Sequence, residues 1–144
     1  MTDEEHYRKL ERAYAAAPVS QWYGASVSVG DGQAEVRFAI RPEFCHAAHA
    51  VHGSVYFRAL DDAAFFAVNS RVLDVFVLTV SFTVHFARPV STGVMRATGR
   101  LIHGGGRLFM AESTLVNDAG EVLGHGSGVF TRSSIPLEPG IGYV

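Results

Sequence analysis

The spacing of apolar side chains changes period along the chain, and each period predicts one type of element. From Glu4 to Ala17 the larger apolar residues fall at helical spacing, which predicts a first helix that ends at Pro18. Two strands are predicted at 26–29 and 34–40, because Gly and Asp in the turn between them supply the positive φ that tight hairpins need. The chain is therefore expected to begin with one helix and a β-hairpin.

A second helical segment, from Val55 to Ser70, is apolar nearly all the way round. Such a pattern is typical of a helix that is enclosed by other structure, so we expect a sheet to wrap around it. Its few charged residues are Arg58, Asp61 and Asp62.

The rest of the chain shows the two-residue period of strands. Phe76 to Phe86 alternates strictly, which predicts that the even-numbered apolar side chains face the helix and that the more polar face meets solvent or another subunit. Further strands are predicted at 94–102, 107–116 and 121–131, joined by short turns that contain glycine. Four consecutive strands favour an antiparallel meander, and residues 133–144 are expected to form an irregular tail.

This order of elements predicts one α+β domain over residues 1–144, in which a long helix lies against a curved antiparallel sheet. A chain of 144 residues can bury about two-thirds of its unfolded surface around one core, so a second domain is not expected. At this size the arrangement is that of the hotdog fold.

Charge and composition exclude several classes of partner. Twelve Lys and Arg against fourteen Asp and Glu give a net charge of -2, so no basic field exists to bind nucleic acid or an anionic membrane. No stretch reaches the roughly 18 uncharged apolar residues of a membrane span. The single cysteine, Cys45, cannot form an internal disulfide, and the first residues are acidic rather than signal-like, so we expect a cytoplasmic protein.

The most specific motif lies at residues 52–61, which read His-Gly-Ser-Val-Tyr-Phe-Arg-Ala-Leu-Asp. It resembles the motif of the phenylacetate-degradation-type hotdog thioesterases, in which His-Gly-Gly is followed by six residues and an acid. The alternating strand that ends at Pro89 and the polar turn at 117–120 extend the resemblance over residues 20–131. It implies an acyl-CoA thioesterase that releases a carboxylic acid and free CoA without a metal or redox cofactor, and that forms a homodimer or a dimer of dimers.

Asp61 is the candidate catalytic residue, and its chemistry can be argued without the family. A carboxylate on an otherwise apolar helix is costly unless it is paired or functional, and its pKa should be perturbed. In a dry cleft it could attack a carbonyl or deprotonate a water. The alternative is a structural salt bridge with Arg58, although Asp62, four residues after Arg58, is the better partner.

The resemblance also implies roles around the thioester carbonyl. It assigns the N–H of Gly53 to polarising the carbonyl oxygen, which suits an N–H at a helix N-terminus. It makes His52 an orienting and hydrogen-bonding residue. It also aligns Thr79 with a residue that, in some family members, comes from the neighbouring subunit and holds the attacking water. His46 stands where related enzymes carry Asn or Gln, so activity could depend on pH or the substrate could differ.

Other candidates concern substrate binding and the start of the helix. Ser54 replaces the second glycine of the motif and is expected to cap the helix beside the substrate. Arg88, Arg107 and Arg132 are candidates to contact the CoA phosphates. Several phenylalanines suggest an apolar pocket for an aryl or medium-chain acyl group, although aromatic residues at such spacings more often belong to the core.

Three alternative functions remain open from the sequence. His46, His49 and His52 could form a metal site with Asp61, although an alanine-rich loop fixes no particular geometry. The departures at His46 and Ser54 would suit a non-catalytic acyl-CoA or small-ligand binding protein of the same fold. A dehydratase would need a catalytic histidine paired with an acid across the cleft, and the position of Asp61 after His-Gly argues against it.

Overall fold

A computed structural model describes all of residues 1–144 and shows one long helix against a six-stranded antiparallel sheet. The helices are α1 (Asp3–Ala16), α2 (Pro18–Tyr23) and α3 (Gly53–Asn69). The strands are β1 (Ser26–Gly30), β2 (Gln33–Ala39), β3 (Val75–Phe86), β4 (Val94–Gly104), β5 (Leu108–Val116) and β6 (Val122–Pro136). Two short 3₁₀ turns lie at Pro42–Phe44 and Pro139–Ile141. The predicted α+β architecture, with its buried central helix, is confirmed.

The strand order in the sheet is β1-β2-β4-β5-β6-β3. The predicted meander is therefore correct for β4, β5 and β6 but wrong for β3, which pairs with β6 at the far edge. The place that the meander assigned to β3 is occupied by β2, which pairs with β4 along seven residues. Alternating side chains identify a strand but not its neighbour, because both edges of a sheet offer the same hydrogen-bonding groups.

The N-terminal helices follow local signals in the sequence. Thr2 and Glu5 form a capping box, in which Thr2 Oγ1 accepts from the Glu5 N–H at 3.2 Å and the Glu5 carboxylate accepts from the Thr2 N–H at 2.6 Å. The first helix ends before Pro18 as predicted. Pro18 then begins the short helix α2, which the sequence analysis missed, and Gly24 ends it in the left-handed conformation.

A bulge in β3 reverses which side chains face α3. The pairing of β3 with β6 shifts between Thr79 and Ser81, so that Val80 is an extra residue on β3. Val77, before the bulge, is completely buried, whereas Phe82, after it, packs against the core. The prediction that all even-numbered residues face the helix is therefore wrong, since Val80 itself is 58% exposed.

The C-terminal segment is packed rather than irregular. Strand β6 continues to Pro136, and the chain then returns to α1, where the ring of Tyr143 is buried. The hydroxyl of Tyr143 lies 2.7 Å from Nδ1 of His6, whose Nε2 lies 2.9 Å from the carbonyl oxygen of Asn69. The prediction of an irregular tail is thus wrong for residues 133–136, which belong to β6. The residues after Pro136 are anchored by the contact of Tyr143 with His6.

The helix α3 approaches the sheet closely at Gly99 of β4. A Cβ atom added at Gly99 would lie 2.3 Å from the carbonyl carbon and oxygen of Ala63. On β5, the buried hydroxyl of Ser113 donates to the carbonyl oxygen of Leu60 at 2.7 Å. These contacts fix the height of α3 above the sheet and hence the position of Asp61. None of the helices has the length and apolar character needed to cross a membrane.

Candidate active site

Asp61 projects from α3 and is hydrogen bonded to a single side chain from β3. The hydroxyl of Thr79 donates to Oδ1 of Asp61 at 2.9 Å. Arg58 forms its salt bridge with Asp62 instead, with 2.9 Å between Nε and Oδ2. The alternative of an Asp61–Arg58 pair is therefore wrong, and the expected pairing of Arg58 with Asp62 is confirmed. Asp61 has no cationic partner among the ion pairs of the structure.

The surroundings of Asp61 favour its protonated form. Burial, and to a smaller extent the neighbouring charge of Asp62, raise the pKa of Asp61 to about 6, although the hydrogen bond from Thr79 opposes this change. A carboxyl group with a pKa near 6 is largely ionised at neutral pH yet retains more basicity than an ordinary aspartate. This environment suits a group that must take up a proton.

A polar network beside Asp61 connects α3 to the N-terminal helices. Asp62 accepts hydrogen bonds from the Tyr14 hydroxyl and from Arg58, both at 2.9 Å. Arg58 also donates to Oγ of Ser20 at 3.1 Å, and its guanidinium lies 4.2 Å from the ring centroid of Tyr23. Because Arg58 is bound within this network, Thr79 is the side chain that forms a hydrogen bond with Asp61.

Asp61 and Thr79 line a largely apolar cleft of about 670 Å³. The cleft lies between α3, β3, the junction of α1 with α2, and the C-terminal segment. Its apolar lining includes three phenylalanines and several small residues: Phe65, Phe66, Phe76, Ala13, Ala17 and Pro18. Pockets of this size and character are typical of sites for small organic groups.

The N-terminus of α3 has a cap that differs from the predicted one. His52 is the N-cap residue, and its Nδ1 accepts from the backbone N–H of Ser54 at 3.0 Å. The helix begins at Gly53, two residues earlier than a Ser54 cap requires, so that expectation was wrong. The Ser54 hydroxyl lies 2.8 Å from the same His52 nitrogen. Gly53 packs against Phe86, since an added Cβ would lie 3.1 Å from that ring.

Within one chain, the two halves of the predicted site are far apart. Gly53 precedes Asp61 by eight residues on the same helix, which corresponds to about 12 Å along its axis at 1.5 Å per residue. Asp61 and Thr79 therefore form one group, and Gly53 belongs to a second group with His52 and Ser54. His46 lies in the exposed loop that precedes this second group. A single thioester carbonyl cannot contact both groups of the same protomer.

The sequence from residue 48 to 123 matches the family model of the thioesterase superfamily. The chain belongs to the thioesterase superfamily. The matched region contains the motif at 52–61 and the strand that carries Thr79, and it covers more than half of the 144 residues. The resemblance drawn from the motif is thereby confirmed at the level of the family.

Solved structures show that this thioesterase-superfamily chain has the hotdog fold. The PaaI protein from the phenylacetic acid degradation operon of E. coli is 19% identical, with a TM-score of 0.85 over 94% of this chain and 99% of that one. A conserved protein from Pseudomonas aeruginosa is 24% identical, with a TM-score of 0.79 over 85% and 98%. A mutant of the phenylacetic acid degradation protein PaaI from Thermus thermophilus is 20% identical, with a TM-score of 0.74 over 81% and 100%. No curated protein matches the sequence significantly.

The histidines before α3 lie on the surface. His46 and His49 are exposed, and Nδ1 of His46 accepts from the backbone N–H of Ala48 at 3.1 Å. His49 has a left-handed φ of 66°. These side chains do not converge with His52 and Asp61 on one metal-binding geometry. The loop thus presents its histidines outward, away from the cleft of the same chain.

Two of the three arginines expected near CoA phosphates are already paired with carboxylates. Arg88 lies 3.0 Å from Glu121, and Arg132 contacts both carboxylate oxygens of Asp74. Each would have to leave its partner to bind a phosphate. Arg107 is in no such ion pair and lines a shallow depression beside Arg132.

Sequence reasoning missed the contribution of α2 and of the C-terminal segment to the cleft. A signal for α2 was present, because Pro18 at a first helical position and Gly24 at the far end are typical helix boundaries. The C-terminal segment gave no periodic signal. Its place is determined by long-range contacts of Tyr143 with His6.

We predict that Thr79→Val raises the pKa of Asp61 above that of the wild type, because valine keeps the side-chain shape but cannot donate a hydrogen bond to the carboxylate. A ¹³C NMR titration of the Asp61 carboxyl measures this directly. Thr83→Val is the matched control, since Thr83 lies on the same strand but is exposed. An Asp61 titration that is identical in Thr79→Val and wild type would contradict the importance of the hydrogen bond.

Proposed function

We propose that the protein is an acyl-CoA thioesterase, which hydrolyses an acyl-CoA to a carboxylic acid and free CoA. The observation that carries this proposal is the Asp61 carboxylate, which is held by Thr79 in an apolar cleft and has no cationic partner. Family membership supports thioester hydrolysis as the reaction class. The arrangement supplies a basic carboxylate next to a binding space for an apolar acyl group.

Asp61 has two routes to the same products. As a general base, its carboxylate takes a proton from a water while that water attacks the thioester carbonyl; the tetrahedral intermediate then expels CoA as a thiolate, which takes up a proton. As a nucleophile, the carboxylate attacks the carbonyl itself, CoA leaves, and water hydrolyses the resulting anhydride. Thr79 holds one carboxylate oxygen in either route, so that the other oxygen, Oδ2, is free to act.

A second copy of the chain is required for the complete site. The negative oxygen that develops on the carbonyl needs a donor, and a helix N-terminus such as that at Gly53 supplies one. Because Gly53 is about 12 Å from Asp61 in the same helix, the donor belongs to another protomer. His52 orients this N-terminus through its hydrogen bond with the backbone N–H of Ser54, and we expect His46 and Ser54 to contribute to the site from this protomer.

The edge strand β3 supports a dimer, either alone or within a dimer of dimers. It has no neighbour on its outer side, and Val80 and Phe86 on it are 58% and 60% exposed. Phe57 of α3, next to this edge, is 42% exposed. Long apolar edge strands are normally covered, and pairing with a second copy would cover this one. The lone Cys45 suits the cytoplasmic location that we also propose.

The test is release of free thiol from acetyl-, hexanoyl-, decanoyl- and phenylacetyl-CoA across pH 5 to 9. We expect turnover of at least one of these substrates. Since the ionised form of Asp61 is the active one, kcat/KM should rise as the pH increases through about 6 and then level off. Binding of acyl-CoA without thiol release would instead favour the non-catalytic binding protein, and hydration of an enoyl-CoA would favour a dehydratase.

A further inference from the structure

Both ends of the chain contribute to one wall of the cleft that contains Asp61. The junction between α1 and α2 supplies Ala17 and Pro18, and the C-terminal segment supplies Ile141 and Gly142. These side chains are small or aliphatic, so the wall is apolar and leaves open space in front of Asp61. Neither segment lies inside the region that the family model matches, which ends at residue 123.

Buried contacts hold the two ends of the chain against each other. The hydroxyl of Tyr143 lies 2.7 Å from Nδ1 of His6. Nε2 of the same histidine lies 2.9 Å from the carbonyl oxygen of Asn69, at the end of α3. Gly142 has a left-handed φ of 82°, and an added Cβ there would lie 3.0 Å from the Cβ of Ala16. The wall is therefore a fixed part of the fold rather than a loose terminus.

Aromatic rings also line the cleft. The ring of Phe65 lies 5.1 Å from that of Phe66 and 4.9 Å from that of Phe76, measured between centroids. Asp61 and Thr79 line the same cleft, so a thioester carbonyl placed at the carboxylate would direct its acyl group between the rings and the terminal segments. The cleft thus begins at the proposed reacting atoms and continues as apolar space.

The volume of the cleft distinguishes long from short acyl groups. If each acyl carbon takes about 30 Å³, a water molecule's share of liquid volume, an acetyl group occupies about 60 Å³ and a ten-carbon chain about 300 Å³. The cleft measures about 670 Å³. A short acyl group would leave most of the lining side chains without contacts, whereas a long one would cover them.

We propose that the α1–α2 junction and the C-terminal segment together form the acyl pocket, so that the site selects acyl groups of about ten carbons or more over acetyl. This inference rests on the proposed acyl-CoA substrate. The family motif supplies the reacting residues, and the two ends of the chain supply the selectivity.

The experiment uses the full chain and S-alkyl-CoA thioethers, which carry the chain but cannot be hydrolysed. Dissociation constants for S-ethyl-, S-hexyl- and S-decyl-CoA are measured by titration calorimetry on wild type, Ala17→Phe and Ala15→Phe. Ala17 is half-buried at the cleft, with φ −65° and ψ 130°, a conformation that phenylalanine adopts without strain. Ala15 is exposed two residues earlier on α1 and does not line the cleft, which makes it the matched control.

We expect wild-type affinity to increase about fourfold per methylene group until the cleft is filled. Ala17→Phe should weaken S-decyl-CoA binding at least tenfold and leave S-ethyl-CoA within twofold, and Ala15→Phe should change neither. Affinities that do not depend on chain length, or equal losses in the two variants, would overturn the inference.

Thiol release from the matching acyl-CoA esters is measured on the same proteins, and it separates the two proposals. Turnover without chain-length dependence would refute the pocket and leave the thioesterase. Length-dependent binding that is lost in Ala17→Phe, without any turnover, would refute the thioesterase and leave the pocket.

Discussion

Replacement of Asp61 by asparagine is expected to lower kcat for thioester hydrolysis by about a thousandfold or more, the contribution typical of a positioned general base or nucleophile. Asparagine has nearly the same shape and can still accept the hydrogen bond from Thr79. It can neither take up a proton nor attack a carbonyl. The measurement is the initial rate of thiol release with the best acyl-CoA, together with its dissociation constant.

The neighbouring residue provides the control for Asp61. Asp62→Asn should weaken the salt bridge with Arg58 and so lower stability, because a buried guanidinium loses its charged partner. We expect Asp61→Asn to lose activity while substrate binding and folding stay unchanged. We expect Asp62→Asn to lose stability. Turnover that survives in Asp61→Asn would exclude the proposed mechanism.

The stability of Asp61→Asn has its own expected pH dependence. The folded-state pKa of about 6 lies above the ordinary value of 3.8, so the folded protein binds more protons than the unfolded chain between those values. The contribution of Asp61 to the free energy of unfolding of the wild type therefore decreases as the pH rises from about 4 to 6. The Asp61→Asn variant lacks this pH dependence. The variant should be at least as stable as wild type at pH 8, which is the behaviour of a residue retained for function.

The second large effect is on folding. Gly99→Ala should lower the free energy of unfolding by about 3 kcal/mol, as expected when an extra group is forced into a close-packed contact. The added methyl would meet the Ala63 main chain at 2.3 Å, and backbone in the middle of α3 cannot turn aside as a flexible side chain can. Chemical denaturation of wild type and variant measures the difference.

Gly105→Ala is the control for this substitution. Gly105 lies just after β4, and nothing is within 4 Å of an added Cβ there. Its free energy of unfolding should stay within about 0.5 kcal/mol of wild type, as for most surface substitutions. Equal effects at Gly99 and Gly105 would mean that loss of glycine flexibility, and not the contact with α3, determines the cost.

The central helix and its carboxylate could be predicted because local pattern determines both. The segment from Val55 to Ser70 is apolar nearly all the way round, which indicates a helix enclosed by other structure, and Asp61 is one of its few charged residues. The pairing of Arg58 with Asp62 followed from their separation of four residues. These features depend on residues that are neighbours in sequence.

Features that depend on distant segments could not be predicted. The position of β3 beside β6 and the anchoring of Tyr143 by His6 both join residues far apart in sequence. The bulge at Val80 left no mark in the alternating pattern, because valine suits either face of a strand. The resemblance singled out Thr79 as a residue of the neighbouring subunit, whereas the structure hydrogen bonds it to Asp61 of the same chain.

The bulge in β3 lets one strand serve two purposes that a regular strand with the same sequence could not combine. Before Val80, the Thr79 side chain points inward and its hydroxyl contacts Asp61. After Val80, the Phe82 side chain points inward and packs against the core. The extra residue shifts the alternation of side chains between the segment that carries Thr79 and the segment that carries Phe82. A strand without the bulge would put Thr79 and Phe82 on opposite faces, because they are three residues apart. The extra residue at position 80 keeps both side chains turned towards α3, and its effect depends on its presence more than on the identity of its side chain.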